Sequence, residues 1–302
     1  MTNFFHLIAV YLLAVPWLAG CASFDEWQRA KIYRPTPIEP AAWPAALAKY
    51  PGITVQTLGV AEGEQIQVMG FPAKAGESSK VKVLYLHGTL RHVLQNSAKI
   101  EGITRNGMDV LAPDYRGWGA SSPRLPDEAS IHADAWATWL SLQNRDEDTR
   151  WVIYGHSMGS AVAVHLAARS YLSLHDMHAQ FCAVVLESAF TSFPDVARSV
   201  SGPLSPLAAA VTTQKMASID LIDEVPGPIW MLHGSHDATI PMALGKKLFE
   251  AAPSPKYWLD LPKDHSDMQT DTTGAYDAVW QQVKTRCEQA PVKAPTKAFF
   301  RQ

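Results

Sequence analysis

The sequence predicts an α/β fold, a mostly parallel sheet with helices on both faces, and three observations carry that expectation. Short β-branched or apolar runs alternate with longer amphipathic stretches across residues 51–290, as strands and crossover helices do. The first two runs have no helical stretch between them, so they are expected to pair antiparallel at an edge. A Gly-x-Ser-x-Gly sequence, Gly155 to Gly159, stands directly between an apolar run and a helical one.

Composition sets the outer limits. The chain has 302 residues, 47% of them hydrophobic, and a formal net charge of -3, the profile of a folded protein of one large or two small domains. There is no run of Lys and Arg to track a phosphate backbone, so nucleic acid is not an expected partner.

Taken in order, Phe4 to Leu18 is almost wholly apolar but short for a bilayer span, and residues 1–20 read as an export signal. No Lys or Arg precedes the apolar core, only His6, and an uncleaved anchor or a plain apolar N-terminus is the alternative. Leu18-Ala19-Gly20-Cys21 resembles the lipobox of bacterial lipoproteins, which implies a mature chain starting at a lipidated Cys21. Ala22, in place of the aspartate of inner-membrane retention, implies attachment to the outer membrane of a bacterial envelope, facing the periplasm. Residues 21–50 carry Pro35, Pro37, Pro40 and Pro44 and are expected to be a tether without regular helix. Residues 291–302 are expected to be a loose tail.

Within 51–290 the expected strands are Ile53 to Leu58, Gln65 to Phe71, Val81 to Leu86, Met108 to Ala112, Trp151 to Tyr154, Ala183 to Leu186, Ile229 to Leu232 and Tyr257 to Leu261. Helices are expected at Asp127 to Leu142, Met158 to Ser170, Met242 to Ala251 and Asp267 to Arg286, the last with Asp267 as N-cap. Export would permit a disulfide between Cys182 and Cys287, but spacing cannot pair them, and two buried thiols are the expectation. His175 and His178 share a helical spacing without a third ligand, so neither a metal nor another cofactor is expected.

The chemistry starts at Ser157. A serine on a sharp strand-to-helix turn has a strained backbone and needs small residues two positions to either side, a demand Gly155 and Gly159 meet. A hydroxyl needs a base to take its proton, and the base needs a carboxylate to fix its tautomer. Asp237, on a loop just after the strand ending at Leu232, is the expected acid, and His265, on the loop after Leu261, the expected base. Asp264 and Asp267 are alternative acids, set too close in sequence to reach across the ring of His265. His156, His233 and His236 are read as structural or solvated. The order Ser157, Asp237, His265 is not that of the chymotrypsin or subtilisin triads. Oxyanion donors are expected from the backbone amides of Met158 and Thr89.

His87-Gly88, the Asp114 to Ser121 segment, the Gly155 to Gly159 turn, Leu186 to Ser192 and the Asp237 and His265 loops together resemble the α/β-hydrolases. They look most like the branch with depalmitoylating serine hydrolases and related bacterial lipoproteins. The resemblance implies an eight-stranded, mostly parallel sheet. It implies a loop role for Asp114 and Arg116, tied by charge-assisted bonds, and Trp118 as part of a pocket wall. The interval Ala189 to Pro228, broken by prolines, implies a small cap or none and a fairly open pocket. With serine in the turn, the expected reaction is cleavage of carboxylic esters or thioesters through an acyl-serine, short or medium acyl esters above peptides. The expected partners are a small acyl substrate and, through Cys21, a membrane. A peptidase or amidase, or a non-catalytic binding lipoprotein, are the alternatives.

Overall fold

The computed structural model describes residues 23–74, 79–142, 148–172, 181–200 and 205–290. Cys21, His175, His178 and the 291–302 tail lie outside them. Eight strands form one sheet: β1 Thr54–Ala61, β2 Glu64–Phe71, β3 Val81–Leu86, β4 Asp109–Asp114, β5 Arg150–His156, β6 Phe181–Glu187, β7 Ile229–Gly234 and β8 Lys256–Leu261. Their order is β1-β2-β4-β3-β5-β6-β7-β8. β2 runs antiparallel to both β1 and β4, and every other pairing is parallel.

The parallel strands are apolar on both faces because both are covered. Leu84, Leu86, Ile153, Val184, Leu186 and Met231 point to the side packed by α4 Glu128–Ser141 and α5 Met158–Leu172. Val83, Tyr85, Val152, Tyr154, Val185 and Trp230 alternate with them toward α3 Ser97–Thr104 and α9 Ala275–Glu288. The fold class, the edge pair and all eight strands therefore stand where the sequence put them, to within a few residues.

Three expectations change. The stretch read as a tether is folded onto the body. Residues 23–33 form a helix, α1, whose buried Gln28 donates to Val211 O at 2.6 Å and accepts from Thr213 N at 3.0 Å. Tyr33, fully buried, donates to Gln214 Oε1 at 2.8 Å. The prolines sit where helices and bridges tolerate them: Pro40 and Pro44 occupy first-turn positions of a 3-10 turn, Pro40–Ala42, and of α2 Trp43–Leu47. Pro37 bridges to Gly119, with Ile38 N donating to Gly119 O.

The second change concerns the last helix. A 3-10 turn, Met268–Thr270, is separate from α9, and Gly274 with φ 85° stands at the start of α9. Asp271, not Asp267, accepts from an amide of its first turn, Tyr276 N, at 3.1 Å. Third, Cys182 and Cys287 form a disulfide with Cα atoms 5.3 Å apart, linking β6 to α9. Side chains from β6 and α9 share one core, which brings together two thiols that are 105 residues apart in sequence. The small cap allowed between β6 and β7 is present as α6 Phe193–Val200 and α7 Ser205–Val211, and α1 joins these helices in lining a cavity. α8 Met242–Ala251 matches its expected bounds.

Candidate active site

Ser157 sits between β5 and α5 with φ 55°, in the left-handed region that non-glycine residues rarely enter. The turn is closed from three sides. Ser157 N donates to Glu187 O at 2.9 Å, Ser160 Oγ donates to Ser157 O at 2.6 Å, and the flanking glycines lie against backbone. A methyl group at Gly155 would overlap the carbonyl of Gly159, and one at Gly159 would overlap that of Leu86. The demand for small residues read from the sequence is thus a demand for close backbone approach.

The loops after β7 and β8 deliver the partners. His265 Nε2 lies 2.9 Å from Ser157 Oγ, and His265 Nδ1 lies 2.8 Å from Asp237 Oδ2. A carboxylate only accepts, so Nδ1 carries the proton and Nε2 offers its lone pair to the hydroxyl. The Asp237 side chain is fully buried, with Oδ1 accepting from Thr239 N at 2.9 Å and Ile240 N at 2.8 Å. Burial alone would raise its pKa. The bonds from His265, the Ile240 amide and Ser188 outweigh burial and hold it below the usual carboxylate value. Asp264 has another task, since its Oδ1 accepts from the backbone amide of His265 at 2.7 Å.

The carbonyl of His265 is pinned as well. His156 Nε2 donates to it at 2.9 Å and Ser188 Oγ at 3.2 Å, which fixes the loop on which the imidazole rides. Ser188 has φ 50° at the end of β6 and is fully buried. Sequence reading gave Ser188 no task of its own; the signal was its place just past a strand end, in Leu186 to Ser192. His233 Nε2 donates to Ile240 O at 2.9 Å and lies 3.6 Å from Asp237 Oδ2, so it braces the acid loop. Behind the turn, Glu187 holds a buried ion pair with Lys99, accepts from Tyr154 OH at 2.7 Å, and presents the carbonyl that Ser157 N binds. Lys99 also donates to Gln269 Oε1 at 3.1 Å.

Thr89 and Met158 border the same space as Ser157. Met158 opens α5, where an amide has no acceptor within the helix. The Thr89 loop is anchored by Trp118, fully buried, whose Nε1 donates to Thr89 O at 2.6 Å. Trp118 is therefore an anchor and not the pocket wall expected of it. It lies among Tyr33, His87 and Tyr115. Asp114 and Arg116 do tie the loop down, each through other partners. Arg116 binds Asp134 at 2.8 Å and also Glu64, while Asp114 accepts from Val93 N at 2.7 Å. Burial pushes the Asp114 carboxyl up to about 7 and the neighbouring His87 imidazole down to about 4.

Two cavities meet at Ser157. One of about 70 Å³ is lined by Gly88, Leu90, Arg91, Asn96, His156 and His265, among others. The other, about 650 Å³, is walled chiefly by apolar side chains of α1, α6 and α7, including Ile32, Phe193, Val196 and Leu207, with Phe190 and Ile240. Among the described residues no group of His, Cys, Asp and Glu could hold a metal ion.

A family model described as "Serine aminopeptidase, S33" matches residues 77–221, a span that contains Ser157 but ends before Asp237 and His265. The human alpha/beta hydrolase domain-containing protein 17B is 29% identical over 206 residues, which cover 65% of this chain and 64% of that protein, so the match spans just under two thirds of its length. An uncharacterized protein of Mycobacterium tuberculosis is 30% identical over 239 residues, covering 78% of this chain and 79% of the relative. Among solved structures, an esterase of Pyrococcus furiosus superposes with a TM-score of 0.63 at 16% identity, over 85% of this chain and 98% of that one, a likeness of fold.

Proposed function

The chain belongs to the α/β-hydrolase family, and from that premise we propose that it is a serine hydrolase cleaving carboxylic esters or thioesters through an acyl-serine intermediate. The observation that carries the reading is the continuous hydrogen-bonded line Asp237–His265–Ser157, at 2.8 and 2.9 Å, ending on a strained serine that faces a large apolar cavity.

In this reading Ser157 Oγ attacks the acyl carbon as His265 Nε2 takes the hydroxyl proton. Asp237 holds the imidazole in the productive tautomer and stabilises the imidazolium. The carbonyl oxygen becomes an oxyanion and takes hydrogen bonds from the amides of Thr89 and Met158. As the tetrahedral intermediate collapses, the bond to the leaving group breaks and Nε2 returns its proton to the departing oxygen or sulfur. Water then attacks the acyl-serine by the same steps, with His265 as base, and releases the acid.

The cavity walls favour an acyl group over a peptide N-terminus. The 650 Å³ space lies within the usual size of ligand pockets. The Lys, Arg, Asp and Glu residues lining the two cavities are Lys31, Arg34 and Arg91, with no carboxylate among them to receive an α-ammonium. An aminopeptidase is the second reading because the matching family model carries that description. A fluorophosphonate probe tests the serine: labelling of the wild type that is lost in Ser157→Ala is expected, and well-folded protein that stays unlabelled would refute the proposal. A turnover panel varying acyl length and leaving group separates ester, thioester and peptide, and dominant peptide turnover would overturn the acyl reading.

The placement proposed is a bacterial envelope, with the chain held to the membrane by lipid on Cys21. A disulfide between Cys182 and Cys287 fits an oxidising compartment. Cys21→Ala is expected to release the protein from membranes, and persistent attachment would count against the lipid anchor.

A further inference from the structure

Phe24 and Trp27 of α1 and Leu207 and Val211 of α7 all line the large cavity, yet they are 41, 57, 63 and 40% exposed. They form its outer rim. The rings of Phe24 and Trp27 stack, with centroids 5.9 Å apart. The described residues hold four further exposed large apolar side chains, scattered as Val55 on β1, Leu90 in the loop after β3, Leu140 on α4 and Tyr257 on β8. Single exposed apolar residues are ordinary, but a contiguous patch on two neighbouring helices marks a contact surface.

The chemistry next to the patch indicates what it contacts. Lys31 lies one turn beyond Trp27 on α1, and Arg34 follows the helix; both are exposed, both line the cavity, and neither forms an ion pair among the described residues. The nearby Asp25 is engaged by Arg29 at 2.8 Å. Aromatic rings on a helix, with one cation on it and another just after it, are the composition of an element lying in a membrane interface, rings at the acyl boundary and cations at phosphate level. Chain length adds a second argument. Cys21 is three positions before Phe24, so its sulfur-bearing residue stands no farther than about 11 Å from Phe24 even with the chain fully extended.

We propose that this rim docks on an anionic lipid bilayer, with Phe24, Trp27, Leu207 and Val211 at the headgroup–acyl boundary and Lys31 and Arg34 against lipid phosphates. The cavity mouth then opens into the bilayer, and an acyl chain passes from lipid to Ser157 without crossing water, a step that rests on the acyl-hydrolase reading above. The docking itself does not.

The test places an environment-sensitive fluorophore on the full-length chain at Leu207→Cys and, as a control, at Leu140→Cys on α4, which lines neither cavity. The unsubstituted chain serves as the labelling blank. The protein is bound to phosphatidylglycerol-containing vesicles with or without acyl-brominated lipid. Quenching by the brominated lipid is expected to be roughly twofold or more stronger at position 207 than at 140, with position 207 shielded from aqueous iodide. Equal quenching at the two positions, iodide access at 207 in vesicle-bound protein, or failure to pellet with vesicles overturns the proposal. A protein partner covering the rim in place of lipid would give one of those results. Fluorophosphonate labelling of the same samples reports separately on Ser157, so loss of the hydrolase reading and loss of the docking reading are distinguishable.

Discussion

Asp237→Asn isolates the part of the relay that geometry alone makes legible. In the native site Oδ1 accepts from two backbone amides, Thr239 N and Ile240 N, while Oδ2 accepts from His265 Nδ1. The asparagine amide has two ways to sit there. With its oxygen toward the loop it keeps both backbone bonds; turned over, it sets its NH2 against two donors, each left unpaired at a cost of about 1–3 kcal/mol. The oxygen therefore faces the loop, and the NH2 donates to Nδ1 of His265. That forces the imidazole proton onto Nε2, the atom 2.9 Å from Ser157 Oγ, which then has no lone pair to accept the serine proton. In a serine protease the same change drops kcat by about 10⁴, or about 5.4 kcal/mol. A loss of that order is expected here in hydrolysis of a p-nitrophenyl butyrate-type ester and in the rate of fluorophosphonate labelling. Stability should change by no more than about 1 kcal/mol, because both backbone bonds survive. A folded variant that keeps more than about a tenth of wild-type activity would refute the assignment of Asp237 as the residue that sets the tautomer. Asp264→Asn, which touches only the amide of His265, is expected to stay within about tenfold of wild type.

Three further outcomes are expected. His87, held neutral by burial at about 4, adds stability that is present above the ordinary imidazole value and lost as pH falls through about 4; Asp114, raised by burial to about 7, adds stability that is present below the ordinary carboxylate value and lost as pH rises through about 7. The two oppose each other, so in urea unfolding the gap between wild type and His87→Gln should widen by about 3 kcal/mol from acid to neutral pH, and parallel stability curves would contradict this. Val196→Trp, which fills part of the 650 Å³ cavity from α6, should cut kcat/KM for long acyl esters about tenfold or more while sparing short ones. An unchanged chain-length profile would remove that cavity from the acyl path. The Cys182–Cys287 bridge closes a loop of 105 residues, and its reduction, or Cys182→Ala, should lower the unfolding free energy by about 4–5 kcal/mol, whereas an unmoved urea midpoint under reductant would count against it.

Strands and the three members of the relay were legible because each has a local signature. Val81 to Leu86 or Ile229 to Leu232 is a buried parallel strand by its unbroken apolar run, and strand ends followed by Asp237 or His265 deliver side chains to one edge of the sheet. Gly155 and Gly159 declared the turn because no other residue fits against the carbonyls they touch. The supporting contacts have no such signature. Ser188 and His156 meet on the carbonyl of His265 from 77 and 109 residues away. Trp118 was given to the pocket and turned out to hold the Thr89 loop.

By itself, the sequence determined the layered α/β architecture, the strand-to-helix turn at Ser157 and which histidine and aspartate line up behind it, because periodicity, glycine and the placing of side chains just past strand ends are local properties. Only the tertiary structure decided what surrounds that serine. Residues 23–33 read as part of a tether since proline follows them and their helix has no core of its own; the fold lends it one, with Gln28 satisfied by α7 and Tyr33 buried against Trp118. That docking makes the segment after Cys21 into a wall of the cavity at Ser157. A contact between residue 28 and residue 211 has no trace in either stretch taken alone, because its free energy exists only when both surfaces leave water together.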